Sequence, residues 1–140
     1  MTALRLLLFR CAGQVLAVEA GAVREILQAG DITRIPGAAE AVLGLVNVRG
    51  TLVPVVDCAR AFGSGSCAGS TSLVLVERHG KPVALAVDEV LDLVSVPASA
   101  LDDQAALPGV RPDLVRAVGT AAGHSFVQLA TDALLEPLLP

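Results

Sequence analysis

The sequence predicts a mainly β protein built from two similar halves, and three observations lead there. Short Val- and Leu-rich runs recur at close spacing with Gly or Pro between them, the pattern of barrels or a sandwich. The chain has 140 residues, a single-domain length, and 54% are hydrophobic while only 2% are aromatic. Its core is therefore assembled from Val, Leu, Ile and Ala. Placing Gly13 on Gly80 aligns Leu6-Leu7-Leu8 with Leu73-Val74-Leu75, Val23 with Val90, Glu25 with Asp92 and Ile26 with Leu93. This match implies an internal repeat, with a second hairpin set and a second small barrel beginning near Ser72. The competing reading is a chance match between two apolar hairpins.

The elements follow in order. Leu4 to Cys11 is an apolar run, Ala12-Gly13 is a turn signal, and Gln14 to Glu19 returns, which makes a hairpin. Val23, Ile26 and Leu27 have helical spacing, so Ala20 to Leu27 reads as a short helix. Ile32 to Ile35 reads as a short strand stopped by Pro36-Gly37, and Ala38 to Leu43 as a turn of helix. Leu45 to Val48 and Leu52 to Val56 are strands around Arg49-Gly50-Thr51. Pro54 cannot donate to a ladder, so it requires an edge or bulged position. Asp57 to Phe62 reads as one helical turn with Asp57 as N-cap. Gly63 to Thr71 is a Gly/Ser-rich loop. Ser72 to Glu77 and Pro82 to Val87 are strands around Arg78-His79-Gly80-Lys81, and Val90 to Val96 follows as a third. Ala98 to Pro112 is a loop with helical fragments. Leu114 to Thr120 and Ser125 to Leu129 are late strands around Ala122-Gly123-His124. Asp132 to Leu139 is a terminal helix with Thr131 as its N-cap.

Composition narrows the function. Ten Lys and Arg against fourteen Asp and Glu give a net charge of −4, which argues against general affinity for phosphate backbones. Without Trp or Tyr, the stacking platforms of single-strand recognition are nearly absent. No apolar stretch reaches the length of a membrane span, and the Leu6 to Phe9 run is too short for a signal-peptide core, so a cytoplasmic protein is expected. Cys11, Cys58 and Cys67 are odd in number and lack C-x-x-C spacing. They are read as small buried hydrophobes without an internal disulfide.

No catalytic constellation emerges. His79 and His124 sit at turn signals, and no H-x-x-x-H, G-x-S-x-G or G-x-x-x-x-G-K motif occurs. Asp102-Asp103 has no clustered partner ligands and reads as a solvated loop or helix cap, and Asp88-Glu89 reads as a solvated turn. Neither catalytic residues, nor a metal site, nor a cofactor are expected.

The segment from Thr33 to Gly63 is the most informative. Upstream lies Val23-Arg24-Glu25-Ile26. Then come Thr33-Arg34-Ile35-Pro36, Gly44-Leu45-Val46-Asn47-Val48-Arg49-Gly50, Val53-Pro54-Val55-Val56-Asp57 and Phe62-Gly63. In this order and spacing the motifs resemble those of the CheW family, the coupling proteins of bacterial chemotaxis arrays. The resemblance covers nearly the whole chain, 1–140, as a single CheW-like domain. It is weakest from Ala98 onward.

The resemblance implies two small SH3-like five-stranded β-barrels packed together over a shared apolar core, with short helices. It implies a non-enzymatic adaptor that couples the cytoplasmic helical hairpins of chemoreceptors to the regulatory domain of a CheA-type histidine kinase. It also implies a cytoplasmic location at membrane receptor arrays, with no insertion into the membrane. A helical partner needs a groove with an apolar floor and a polar rim. The receptor-binding candidates are Val23, Glu25, Ile26, Val48, Arg49 and Val87, with Val23 and Val87 near the seam between barrels. Glu25 and Arg49 are in addition the candidate ion pair. The rival reading places these valines in the core. Two other functions stay open. One is a CheW-like protein that binds receptor without kinase or serves a non-flagellar pathway. The other is a small thiol enzyme using Cys58 or Cys67.

Overall fold

Four two-residue turns organise the chain. Ala12-Gly13, Arg49-Gly50, His79-Gly80 and Ala122-Gly123 all have positive φ at both positions. That is the type I′ geometry, whose twist matches the strands it joins. The structure, a computed structural model, describes residues 3–28, 30–63, 65–66, 72–103 and 110–139. The turns join β1 (Ala3–Cys11) to β2 (Gln14–Glu19), β4 (Val42–Val48) to β5 (Thr51–Asp57), β6 (Ser72–Arg78) to β7 (Lys81–Val87), and β9 (Val115–Ala121) to β10 (His124–Leu129). Among the described residues, two further strands, β3 (Val23–Gln28) and β8 (Glu89–Pro97), two short α-helices, α1 (Cys58–Phe62) and α2 (Thr131–Leu135), and three 3₁₀ turns (Ala20–Ala22, Ala98–Ala100 and Pro112–Leu114) complete the regular structure.

The strands form two five-stranded sheets, in the orders β8-β1-β2-β10-β9 and β3-β6-β7-β5-β4. In each, the chain leaving one outer strand reaches the opposite outer strand through a single bridge, Thr33 to Leu45 and Asp102 to Val118. Each sheet thereby curls into a small barrel. Ser72 begins the second hairpin set but does not begin a barrel. One sheet runs from Val23 to Val87, and the other takes strands from both flanks.

The displacement that puts Gly13 on Gly80 relates the pairings as well. Val23 pairs with Val76 and Ile26 with Val74, while Val90 pairs with Phe9 and Leu93 with Leu7. A bulge skips Arg24 in one sheet and Leu91 in the other. The correspondence continues through β4, β5 and α1 onto β9, β10 and α2, including the bulges at Leu43 and Arg116. Each repeat therefore inserts its first hairpin into a barrel whose other three strands come from the other repeat.

The cores follow from this exchange. Leu6 and Leu8 face one barrel interior, and Leu73 and Leu75 the other. Their neighbours Leu7, Phe9, Val74 and Val76 face a third cluster between the sheets, which also holds Phe62, Leu134 and Leu135. Both faces of β1 and β6 are buried, which explains their unbroken apolar runs. The shared cluster is the largest among the described residues, with 18 buried members against 7 and 5.

Several local expectations are corrected. Ala20–Ala22 is a 3₁₀ turn, and Val23–Gln28 is strand rather than helix. The bulge at Arg24 breaks the two-residue alternation and leaves apolar residues at helix-like intervals. Ile32 to Ile35 makes only the Thr33 bridge, and the Ala38 to Leu43 stretch is a turn that leads into β4. Thr131 is the first residue of α2, and its N-cap is Ala130, without a side-chain bond. Asp57 does cap α1, accepting from the Arg60 N–H at 3.2 Å. Residue 64, residues 67–71 with Cys67, and residues 104–109 lie outside the described residues.

Pro54 shows how the sequence is accommodated. Leu45 exchanges both backbone hydrogen bonds with Thr33, at 2.8 and 2.7 Å, so its opposing residue Pro54 is not asked to donate to β4. The parallel pairing of β5 with β7 starts only at Val55. The strand is internal, but the proline occupies a locally open stretch of it.

Gly44 is required for closure of its barrel. Its φ is +149°, and a Cβ there would lie 2.1 Å from the Thr33 carbonyl oxygen. Gly44→Ala is expected to lower stability by about 2–4 kcal/mol, since strain and a backbone clash combine. Gly13→Ala, with positive φ but open space, should cost about 1 kcal/mol. Urea denaturation of both variants checks the difference, and equal losses would contradict it.

Candidate functional site

β3 and β4 are the two outer strands of one sheet, and the Glu25–Arg49 pair spans them. Arg49 occupies the first position of the β4–β5 turn. The Asn47 side-chain oxygen accepts from the Gly50 N–H at 2.8 Å and holds that turn in shape. Arg49 Nη1 donates to Glu25 Oε1 at 3.1 Å, and Nη2 donates to Glu25 Oε2. The arrangement is the two-point fork that guanidinium favours with carboxylate. The Arg49 side chain remains 69% exposed and that of Glu25 32%. An exposed pair of this kind contributes little to stability, so its main effect is to fix where the guanidinium points.

The hydrogen bonds from Arg49 hold the Glu25 carboxyl below its ordinary range, with smaller help from the charges of Arg49 and Arg24. The same bonds push Arg49 further above its ordinary value.

The bulge at Arg24 decides which residues share this surface. Val23 packs on the cluster between the barrels, whereas Leu27 packs into the barrel interior. Glu25 alternates with Ile26, so it lies on the Leu27 side and Ile26 on the opposite one. Glu25, Val48 and Arg49 line one cleft with Arg24, Thr51 and Pro82. Ile26, 46% exposed, is on the other side of the strand, and Val23 is half-buried at the seam. Val87 is corrected: it is fully buried in the shared core and offers nothing to a partner. β7 is covered on both faces, so its alternation carries no surface signal.

Much of the motif around this cleft has structural work to do. Gly44 admits Thr33, Asn47 and Gly50 shape the turn, and Asp57 caps α1 and accepts from the Ser66 hydroxyl at 3.1 Å. Sequence reasoning missed Arg24, Thr51 and Pro82 as lining residues, because they come together only through the barrel. Cys58 is fully buried on α1. No group of three or more potential metal ligands occurs among the described residues. Among them, no helix is long and apolar enough to cross a membrane.

The pair has a testable pH signature. Because the folded-state pKa of Glu25 is depressed, its contribution is present above the ordinary glutamate range and is lost as pH falls through the folded value. NMR titration should find Glu25 below the ordinary glutamate range, and Arg49→Gln should raise it toward that range. An unchanged Glu25 midpoint in that variant would contradict the assigned cause.

Comparison with known proteins places this geometry. A profile described as CheW-like domain matches residues 5–138. The chain is 34% identical over 93 residues to the chemotaxis protein CheW of Rhizobium meliloti, covering 65% of this chain and 60% of that protein. It is 34% identical over 98 residues to protein PilI of Pseudomonas aeruginosa, covering 69% of this chain and 55% of PilI. The matched stretches thus span about 60% of the length of these relatives or less. The crystal structure of the scaffolding protein TtCheW from Thermoanaerobacter tengcongensis superposes with a TM-score of 0.86 at 21% identity, covering 96% of this chain and 89% of that one. With its profile match running nearly end to end and its two five-stranded SH3-like barrels, the chain belongs to the CheW-like domain family.

Proposed function

We propose that this protein is a non-enzymatic adaptor that couples the cytoplasmic helical hairpins of chemoreceptors to a CheA-type histidine kinase. The observation that carries the reading is the Glu25–Arg49 cleft. It is a charged rim over apolar Val48, Val53 and Leu75, set in a chain of the CheW-like family. A groove of that composition suits the side of a helix. Ile26 and the half-buried Val23 extend the proposed receptor face around β3. Action on receptor arrays places the protein in the cytoplasm.

The similarity to PilI, a protein named apart from the CheW proteins, favours a second reading. In it the same fold serves a chemosensory pathway other than flagellar chemotaxis, or binds receptor without kinase. The thiol-enzyme reading loses support at Cys58, whose side chain is fully buried.

Pull-downs against a receptor hairpin and a kinase regulatory domain separate these readings. Capture of both supports coupling, and capture of the receptor alone supports the second reading. Capture of neither contradicts the proposal. Arg49→Glu and Ile26→Glu are expected to weaken receptor binding at least about tenfold while stability stays within about 0.5 kcal/mol. Full binding by both variants would remove these residues from the receptor face.

A further inference from the structure

The β4–β5 and β6–β7 hairpins stand side by side, and a second cleft of about 370 Å³ opens between their tips. It adjoins the Glu25–Arg49 cleft, since Thr51 and Pro82 line both. Its floor is Pro54, Pro82, Val83 and Leu139, and its lip is Leu52, at 63% the most exposed large hydrophobic residue among those described.

The two prolines keep this cleft open. In a two-residue hairpin the residues flanking the turn are a hydrogen-bonded pair, and the next pair is not. Glu77–Pro82 is such a next pair, and Leu45–Pro54 has the same phase in its own hairpin. Both proline nitrogens are therefore turned away from their hairpin partners, toward the space between β5 and β7. Neither can donate there, so the parallel ladder that begins at Val55–Ala84 does not extend down to the tips.

The charge around the two clefts is one-sided. Arg24, Arg49, Arg78 and Lys81 line them, with Glu25 as the one acid. Four of the chain's ten basic residues and one of its fourteen acidic residues therefore gather on this surface, in a protein of net charge −4. Glu77, on the same hairpin, lines a separate cleft beside Arg116. Arg78 is partly engaged, donating from Nη1 to the Leu139 carbonyl, whereas Lys81 and Leu52 are exposed at the rim.

We propose that this groove docks an acidic segment of a protein partner, with an apolar side chain of that segment seated between the two hairpins. Its carboxylates meet Lys81 at one end and Arg24 and Arg49 at the other. Apolar contact at the centre with charge complementarity at the rim is the usual composition of such a surface. The inference rests on the reading that the Glu25–Arg49 face is a docking face, and it extends that face to Leu52 and Lys81.

The test uses ¹H–¹⁵N NMR of the full chain with an amphipathic helical peptide of Leu and Glu, and the same peptide with Lys for Glu. The acidic peptide should shift the amides of Arg49, Leu52 and Lys81 and weaken with added salt, and the basic one should not bind. Lys81→Glu and Leu52→Glu should each reduce affinity at least about tenfold with unchanged melting temperature. If Leu52→Glu fails to fold, Lys81→Glu decides. No binding, equal binding of the basic peptide, shifts confined to another surface, or full affinity in Lys81→Glu would overturn the proposal. Receptor-hairpin pull-down on the same sample keeps the two readings apart. Receptor capture without acidic-peptide binding removes the groove alone, and loss of both removes the docking face.

Discussion

Each repeat gives its first hairpin to a barrel that the other repeat completes, and the rest of the structure depends on that exchange. β1 and β2 have no third strand of their own to pair with. They take β8 on one side and β10 on the other. β6 and β7 take β3 and β5 in the same way. Backbone groups left unpaired in an interior are costly, so neither repeat can satisfy its own ladder alone. The exchange also sandwiches β1 and β6 between a barrel interior and the shared core. A chain with almost no aromatic residues can then bury enough aliphatic surface to be stable. Further contacts tie the crossing points. The Arg10 carbonyl accepts from the Asp88 N–H at 2.9 Å, and the Asp88 carboxylate accepts from the Ala12 N–H at 2.8 Å.

The same exchange positions the proposed docking face. Glu25 rides on β3, held by its ladder to β6, while Arg49 sits on a turn held by β4 and β5. The ion pair links the two outer strands of that sheet. The symmetry-related positions in the other barrel are Asp92 and Ala122, which cannot form such a pair. Asp92 instead accepts from the Leu93 N–H. The two barrels therefore share a scaffold but present different chemistry at equivalent positions.

What the sequence revealed depended on how local its signal was. The four hairpins were legible because each ends in a Gly turn flanked by apolar runs. The repeat was legible in the first hairpin and third strand of each half, where Gly13 and Gly80 anchor the match. It faded in β4–β5 against β9–β10, which correspond strand for strand but share few residues beyond the turn glycine. β3 was misread because one skipped residue at Arg24 mimics a helical period. Val87 was misplaced because a strand buried on both faces has no polar alternation to show which residues face out. The basic groove was invisible, since Arg24, Arg49 and Lys81 lie on three separate elements and meet only after the barrel closes.

The two barrels form one cooperative unit, because each is completed by the other repeat. Native-state hydrogen exchange tests it most directly, reading amides in β1 and β2 of one barrel and β6 and β7 of the other. The slowest amides of both hairpins are expected to report the same opening free energy and the same dependence on denaturant. A barrel whose amides exchange through a separate opening, lower in free energy and shallower in denaturant dependence, would contradict it.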